Sequence, residues 1–217
     1  MVENNNFPKT LEQVIKSRRS IRSFTNEVPR FEDVEEILKA ALYAPYGGAT
    51  GFQLNEIRKV FVFTQNSDKM KEAKELLLSQ IKKNSKKMNN LLVFFPFLKK
   101  KMEPFANRLK SISSNGIPSL NEAPYYIIVA EKKGFPPIGK QSIAHALQNM
   151  WLTATEKGLG FQLISATGKM SNNKQFLQLL GLHQGEYEID GCVIGYATKY
   201  PETIREIDLE QSVKWID

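Results

Sequence analysis

The densest cluster of potential phosphate ligands lies near the start of the sequence, where three arginines fall within residues 17–24. A planar guanidinium presents paired N–H donors that fit a phosphate, and the hydroxyl of Ser20 adds one more donor. Arg18 and Arg22 are four residues apart, so a helical turn would point both side chains the same way. The cluster favours two interpretations equally: a site for a phosphate-bearing small molecule, and a solvated, basic end of a helix.

Predicted helices and strands surround this cluster. Apolar residues recur at helical spacing over 9–17 and 31–43, and Pro45 with the Gly47-Gly48 pair ends the second helix. Further helices are predicted at 68–82, 142–157 and about 172–180, strands at 59–64, 125–130 and 190–197, and a short apolar run at 161–164. Helices around a small sheet, without regular β-α-β alternation, predict an α+β fold.

The composition is that of an ordinary globular protein. The 217 residues are 41% hydrophobic and 24% charged, which is compatible with one domain spanning 1–217 that buries a substantial core. An apolar run at 91–98 is far shorter than the roughly 20 residues needed to span a bilayer, and no secretory signal pattern is visible. We therefore expect a cytoplasmic protein without a transmembrane segment.

Residue counts and motifs argue against several kinds of site. The single cysteine, Cys192, cannot form an intramolecular disulfide, and its apolar neighbours predict a buried, inert thiol. One cysteine and two histidines, His145 and His183, do not supply a zinc site, so no metal is predicted. The sequence also lacks a P-loop, a Rossmann fingerprint and the Gly-x-Ser-x-Gly motif of serine hydrolases.

Positive charge is concentrated in one segment. The net charge is +7, and residues 69–110 carry twelve lysines and arginines against three glutamates, so the remainder is slightly acidic. This distribution argues against nucleic-acid binding by the fold as a whole. The same segment contains the phenylalanine-rich run 91–98, for which three interpretations compete. It is a lid over a substrate site, a cover over a dimer partner, or a docking surface for anionic lipid headgroups (peripheral membrane binding) or an acidic protein.

Four short segments, taken in order, resemble a known family. The cluster at 17–24 is followed by Ala-Pro-Tyr-Gly-Gly at 44–48, Glu-Lys-Gly-Leu-Gly at 156–160, and Ile-Gly-Tyr-Ala at 194–197 ahead of Arg205. Together they resemble the nitroreductase family of FMN-dependent oxidoreductases. The resemblance implies an α+β, nitroreductase-like fold with a central, mainly antiparallel sheet flanked by helices and a helical insertion at about 66–120.

The resemblance assigns flavin contacts to specific residues. The ribityl phosphate and the pyrimidine side of FMN would be held by Arg18, Arg19, Ser20, Arg22 and Arg205. The flavin ring would be approached by the turn of Pro45, Tyr46, Gly47 and Gly48, and its N5 edge by Leu163, Ile164, Ser165 and Ala166. No side chain is assigned a catalytic role, because the chemistry takes place at N5 of the cofactor. The sequence departs from the family at Ala49, where an asparagine is usual, and in lacking the Gln-Pro-Trp that follows.

The resemblance also implies partners and a reaction. The protein would be a homodimer with FMN at the subunit interface, NAD(P)H as donor, and a small acceptor such as a nitroaromatic or a quinone, in ping-pong order. Three alternatives stay open: a flavin-binding sensor or carrier without turnover, a flavin reductase fed by an acidic electron-carrier protein through 69–110, and a cofactor-free module that binds anionic lipid or nucleic acid. Rapid reduction of bound flavin by a nicotinamide distinguishes the first prediction from these alternatives.

Overall fold

A four-stranded sheet forms the centre of the fold. The structure is a computed structural model that describes residues 10–48, 51–201 and 207–216. Its strands are β1 (Arg58–Thr64), β2 (Tyr125–Lys132), β3 (Gly160–Leu163) and β4 (Tyr187–Gly195). They lie in the order β1-β2-β4-β3, and each neighbouring pair is antiparallel. The predicted central antiparallel sheet is therefore confirmed.

Helices cover both faces of this sheet. In chain order they are α1 (Leu11–Ser17), α2 (Phe31–Leu42), α3 (Leu54–Ile57), α4 (Asp68–Phe94), α5 (Lys99–Asn115), α6 (Pro118–Glu122), α7 (Gly139–Glu156), α8 (Lys174–Leu179) and α9 (Leu209–Ser212). Short 3-10 helices lie at Pro96–Leu98 and Thr167–Met170. The predicted α+β class is confirmed, and most predicted boundaries agree to within a few residues. The exception is α4, which continues well beyond the predicted end.

The core consists of two layers separated by the sheet. Successive side chains of a strand point to opposite faces. Ile127 and Val129 accordingly pack with α2 and α7, while Tyr126 and Ile128 pack on the other face with α4 and α8. Cys192 of β4 lies in the α7 layer and is fully buried, which confirms the predicted burial of this thiol.

Helices α4 and α5 form a hairpin that occupies the predicted helical insertion. The buried stripe of α4 begins at Met70 and ends at Ser85, and within α5 only Ala106 is buried. The outer part of the hairpin is therefore held mainly by contacts between its own two helices. Its tip exposes Phe94 and Phe97, each 77% accessible. Within the described part of the chain, none of the helices carries an apolar stretch long enough to cross a lipid bilayer.

The arginine cluster follows α1 as an extended segment that lies beside β3. Helix α1 ends at Ser17, and Ser20 then forms a parallel bridge with Phe161. The amide of Ile21 donates to the carbonyl of Phe161 at 3.0 Å. Gly160 permits this close approach, because a Cβ at that position would lie 2.9 Å from Cγ2 of Ile21.

Arg18 and Arg22 point the same way because the segment is extended, and not because it forms the helical turn considered from the sequence. A helical turn containing Arg18 and Arg22 is not present, because the helix has already ended. Alternate residues of an extended segment point the same way. Arg18, Ser20 and Arg22 therefore lie on the side opposite the buried Ile21.

Candidate functional site

The arginine segment, residues 18–24, is held on both sides by backbone contacts. Beyond its bridge to β3, the carbonyl of Ser23 accepts from the amide of Thr198 at 3.2 Å, and the two side-chain hydroxyls are 2.8 Å apart. Phe24 forms an antiparallel bridge with Ala197. The segment thus runs between β3 and the chain that leaves β4.

The chain beyond β4 also approaches the arginine segment. The hydroxyl of Tyr200 donates to the carbonyl of Gly158, and Tyr200 lines a small cavity together with Arg19. Arg205, the predicted C-terminal phosphate ligand, lies outside the described residues. Ala49, where the sequence departs from the family pattern, lies outside them as well.

An aromatic pair supports the first two arginines. The guanidinium carbon of Arg18 lies 4.1 Å from the ring centroid of Trp151, within range of a cation–π contact. The indole N–H of Trp151 donates to the carbonyl of Arg19 at 3.2 Å, and its ring stacks on Phe161 at 4.9 Å. The backbone of the segment and the direction of Arg18 are therefore both set by one side chain of α7.

The electrostatics of the segment favour an anion. Burial lowers the pKa of Arg18 below its ordinary value, and the adjacent charge of Arg19 lowers it further. Among the described residues, neither Arg18 nor Arg22 forms an ion pair with a carboxylate. An anion bound here would offset the repulsion between neighbouring guanidiniums and accept charge-assisted hydrogen bonds.

The predicted N5 segment, residues 163–166, is held firmly against β4. The amide of Ile164 donates to the carbonyl of Gly191 at 2.8 Å, and the hydroxyls of Tyr126 and Thr167 are 2.7 Å apart in the core. Gly191 leaves space for β2 and Thr167 to pack against β4, since a Cβ would lie 2.9 Å from the carbonyl oxygen of Ile127 and 3.0 Å from Oγ1 of Thr167. The segment therefore has a fixed backbone position behind any ligand that lies against it.

Within this segment the side chains alternate between core and surface. Ile164 is buried, whereas Leu163 and Ser165 are exposed and Ala166 is half-buried. The exposed pair points away from the core and borders a cavity. The structure thus brings the arginine segment and residues 163–166 together as neighbours along one edge of the sheet.

A cavity of about 720 Å³ opens between this edge and the α4–α5 hairpin. Its volume lies in the range of small-molecule sites, about 300–1,000 Å³. Its lining comprises Gln80, Ile81, Asn84, Lys87, Met88 and Leu91 from α4, Phe105, Arg108, Leu109 and Ile112 from α5, and Ile117, Gln162, Leu163, Ile164, Ser165, Ala166 and Lys169. Of the phenylalanine-rich run 91–98, only Leu91 borders this cavity, and Phe94 and Phe97 are exposed at the tip of the hairpin. The lid therefore stays one of three predictions for this run.

One buried polar atom beside this cavity has no protein partner. Oε1 of Gln162 is inaccessible to solvent and accepts no hydrogen bond from the described residues. A buried acceptor without a donor costs free energy, and such groups concentrate where a ligand or water completes them. Gln162 lies on β3 between the arginine segment and residues 163–166.

The predicted Pro45–Gly48 turn lies elsewhere. The carbonyl of Pro45 accepts from the hydroxyl of Ser142 at 3.0 Å, and the hydroxyl of Tyr46 donates to the carbonyl of Lys132 at 3.1 Å. Ser142 is near the N-terminus of α7, nine residues before Trp151, which corresponds to about 13 Å along the helix axis. Within one chain, the structure does not bring this turn to the arginine segment.

The sequence model of the nitroreductase family matches residues 15–196. The chain belongs to the nitroreductase family. The matched range includes the arginine segment, all four strands and the hairpin, so the family predicted from four short segments is confirmed. A search of the curated proteins finds no match to this sequence.

Solved structures share this nitroreductase-like fold at low sequence identity. A nitroreductase with bound FMN from Bacteroides fragilis superimposes with a TM-score of 0.70 at 19% identity, over 97% of this chain and 100% of that chain. A BluB-like flavoprotein from Clostridium difficile gives a TM-score of 0.70 at 20% identity, with the same coverage of both chains. A nitroreductase with bound FMN from Desulfitobacterium hafniense gives 0.66 at 21% identity, again over 97% and 100%. These likenesses establish the fold.

Sequence reasoning missed a buried ion pair beside the Pro45–Gly48 turn of this nitroreductase-family chain. Arg58 and Glu131 are both fully buried, and Nε of Arg58 donates to Oε1 of Glu131 at 2.7 Å. The remaining guanidinium N–H groups donate to the carbonyls of Ala41, Ala44 and Pro45 and to the hydroxyl of Ser142. The other carboxylate oxygen, Oε2 of Glu131, has no partner among the described residues. Arg58 and Glu131 face each other in the register of β1 and β2, which is the signal that would have revealed them.

The residues present fit FMN, the cofactor of the nitroreductase family. Among the described residues, Arg18 and Arg22 form no ion pair with a carboxylate, and the cavity beside β3 has room for a flat ring system. The unpartnered oxygen of Gln162 offers an acceptor between the two. Arg18, Arg22 and Ser20 would hold the phosphate side, and residues 163–166 would lie against the ring.

Proposed function

We propose that this nitroreductase-family protein is an FMN-dependent oxidoreductase that passes two electrons from NAD(P)H to a small acceptor such as a nitroaromatic or a quinone. The observation that carries the proposal is the bridge between Ser20 and Phe161, which sets the arginine segment beside β3. The phosphate ligands therefore lie next to the strand that leads into residues 163–166. An elongated ligand with a phosphate at one end and a flat ring at the other fits this arrangement.

The arginine segment holds the phosphate in this proposal. Arg18 and Arg22 supply the guanidiniums, Ser20 supplies a hydroxyl on the same side, and Arg19 adds positive charge. Arg205 contributes from the C-terminal part of the chain. Each charge-assisted bond is stronger than a neutral one, so a phosphate dianion is well matched to several cations.

Residues 163–166 position the ring. Bound FMN would supply two-electron transfer, with its N5 edge near the backbone of Ser165 and Ala166. The protein contributes orientation, because the hydrogen bond from Ile164 to Gly191 fixes this backbone in place. Backbone N–H groups that are already held in position can donate hydrogen bonds without rearranging during the reaction.

The remaining cavity receives the two substrates in turn. Leu91 and Phe105 of the hairpin line the side opposite residues 163–166, so the hairpin acts as a lid that limits access by water. One shared cavity for donor and acceptor implies ping-pong kinetics. Initial rates at several fixed acceptor concentrations should then give parallel double-reciprocal lines.

Exposed apolar side chains support a homodimer. Large apolar side chains that are at least half accessible include Leu11, Ile15, Phe31, Trp215 and Ile216, together with Tyr43 just after α2. Large apolar side chains left exposed on a single chain favour their burial in a protein interface. Since the Pro45–Gly48 turn lies at the far end of α7 from the arginine segment, we propose that each turn approaches the flavin held by the partner subunit.

Sedimentation equilibrium tests the dimer. We expect the mass of two chains, about 49 kDa from the 24.7 kDa chain. Replacing Tyr43 and Phe31 by glutamate should shift the protein towards monomer and weaken FMN binding in parallel. A monomer that retains FMN with unchanged affinity would contradict the shared site.

An absorption spectrum tests the function directly. We expect the purified protein, supplemented with FMN and gel-filtered, to keep bands at about 370 and 450 nm, as an oxidised flavin does. Anaerobic addition of NADH or NADPH should bleach these bands, and a nitroaromatic or quinone should restore them.

Each outcome of this experiment selects one interpretation. Bands that bleach and return establish the oxidoreductase. Bands that persist with both nicotinamides support the sensor or carrier, or an acidic electron-carrier protein as the donor. No bound flavin at all would overturn the proposal.

A further inference from the structure

We propose that the cavity under the α4–α5 hairpin selects substrates that carry a negative charge beside a planar apolar ring. Arg108, Lys87 and Lys169 recognise that charge. The inference rests on the proposed function, because it names the substrate class of the same site.

The lining of the cavity carries positive charge only, among the described residues. Three of the residues that border the cavity are basic, and among the described residues none that borders it is acidic. Two of the three cations belong to the basic segment 69–110, and Lys169 adds a third from outside that segment. A cleft lined by one sign of charge concentrates ligands of the opposite sign.

These three cations come from three separate elements of the fold. Lys87 belongs to α4, Arg108 to α5, and Lys169 to the 3-10 helix that follows residues 163–166. A solvated helix face would produce positive charge on one element only. Here the fold brings three charges to one opening.

The three cations have no carboxylate partner within the described ranges. The lysines in the first turns of the same α4 helix differ, since Lys69 pairs with Glu72 and Lys71 pairs with Asp68. Positive charge in the first turn of α4 is therefore offset by the helix itself. Lys87, like Lys82, Lys83 and Lys86 beside it, has no carboxylate partner among the described residues, and of these four only Lys87 borders the cavity.

Apolar side chains supply the other half of the recognition. Met88, Leu91, Phe105, Leu109 and Ile112 line the hairpin side of the cavity. Such a surface stacks on a flat ring, and the basic side chains are exposed, so they can meet a substituent that projects towards solvent. The site thus fits an aromatic carboxylate better than the corresponding neutral amide.

Two substrates of the proposed reaction offer this chemistry. An acceptor can carry a carboxylate on its ring, and the nicotinamide donor carries phosphates. The experiment therefore measures both half-reactions separately.

A matched pair of acceptors gives the measurement. The anion 4-nitrobenzoate and the neutral 4-nitrobenzamide have nearly the same shape, so the ratio of their kcat/KM values reports recognition of charge. We expect the FMN-loaded wild type to prefer the benzoate, and Arg108→Gln to lower the ratio about tenfold, the size of one charge-assisted contact. Added salt should lower the wild-type ratio in the same direction.

Lys110→Gln is the control variant. Lys110 is a neighbouring exposed cation of α5 that does not border the cavity, so its replacement removes the same charge from the same helix. The ratio should stay at the wild-type value. Calorimetric titration with unreactive benzoate and benzamide supplies a second readout that needs no turnover, with benzoate affinity falling in Arg108→Gln.

The outcomes separate this inference from the function on which it rests. A lower ratio in Arg108→Gln alone supports a carboxylate-bearing acceptor. A higher KM for NAD(P)H in Arg108→Gln alone supports recognition of the donor phosphates by the same cations. Equal behaviour of both variants, or weaker FMN binding in Arg108→Gln, overturns the inference. If neither acceptor is reduced by the wild type, the proposed function fails, while benzoate calorimetry still tests the cavity.

Discussion

Arginines near the two ends of α7 lie in contrasting environments. At the N-terminal end, Arg58 is fully buried, and its guanidinium donates to Glu131, to backbone carbonyls and to Ser142. Near the C-terminal end, Arg18 stacks on Trp151 and Arg22 is exposed, and within the described residues neither pairs with a carboxylate.

This contrast distinguishes structural from ligand-binding cations. A guanidinium has five N–H donors, and the protein uses all of them at Arg58. Such a group holds the end of α2 and the Pro45–Gly48 turn, but it has no donor left for a ligand. Arg22 is exposed and pairs with no carboxylate among the described residues, so its removal should affect binding more than folding.

Removing the buried cation should produce the largest effect. Arg58→Met leaves the carboxylate of Glu131 buried without a counter-ion, and we expect the free energy of unfolding to fall by about 3–5 kcal/mol. Urea denaturation followed by circular dichroism measures this change. The double variant Arg58→Met, Glu131→Leu should recover most of the loss, because no buried charge then remains unpaired. A loss below about 1 kcal/mol in the single variant would contradict a structural role.

Removing a cation that has no carboxylate partner among the described residues should weaken ligand binding instead of stability. Arg22→Gln deletes one charge-assisted contact to the phosphate, and we expect FMN affinity to fall about 10- to 100-fold. Fluorescence quenching of FMN gives the dissociation constant, while the urea midpoint of the apoprotein should not move. Arg30→Gln serves as control, because Arg30 is an exposed arginine with its own carboxylate partner, Asp33. Equal loss of FMN affinity in both variants would show that only net charge matters.

A half-buried carboxyl group, Asp190, forms no ion pair with a cation in the described parts of the chain. Burial raises the pKa of Asp190 from 3.8 to about 6, although hydrogen bonds from the amides of Gly191 and Gly168 oppose the shift. Because the folded state holds this proton more tightly than the unfolded state, wild-type stability should fall as pH rises from about 4 to 6 and then level off. Asp190→Asn should remove that slope and be more stable at pH 7, by about 2 kcal/mol.

The difference between two series of urea curves measures this effect. Wild type and Asp190→Asn are unfolded at intervals from pH 4 to pH 8, and the gap between them should open through pH 6. A constant gap would show that the carboxyl of Asp190 titrates alike in both states.

The smallest effect is expected where a cation is exposed and already paired. Lys39 and Glu35 form an ion pair on the surface of α2, with 58% and 47% of their side chains accessible. Water screens such a pair, and its formation costs side-chain entropy. Lys39→Gln should therefore leave both the urea midpoint and FMN binding unchanged within error. A clear shift would mean that exposed charge matters more in this fold than the comparison implies.

Local patterns in the sequence were sufficient for most of the fold. The β-branched run around Ile127 predicted β2, and the stripe from Met70 to Ile81 predicted the first half of α4. Beyond Ser85 the helix leaves the sheet, so no buried stripe continues and periodicity gives no signal. The last part of α4 is set by α5, which is a tertiary contact.

Some residues of the candidate site could be predicted from local sequence, and others depend on tertiary structure. The arginine segment and residues 163–166 were both predicted from sequence, and the Ser20–Phe161 bridge makes them neighbours. The pairing of Arg58 with Glu131 was not predicted, because it depends on the register of two strands that are 73 positions apart at that point. The cavity depends on how the hairpin leans over the sheet, which no local pattern specifies.

Because the sole cysteine of the chain is buried, a second cysteine introduced into the hairpin can be labelled selectively for spectroscopy. Cys192 is fully enclosed and burial raises its pKa, so maleimides and nitroxide reagents should not modify it in the folded protein. A cysteine placed at the exposed tip, as in Phe97→Cys, would then be the one reactive group on an otherwise native background. A single label at that position reports the movement of the lid by paramagnetic resonance or fluorescence anisotropy, with each substrate added in turn.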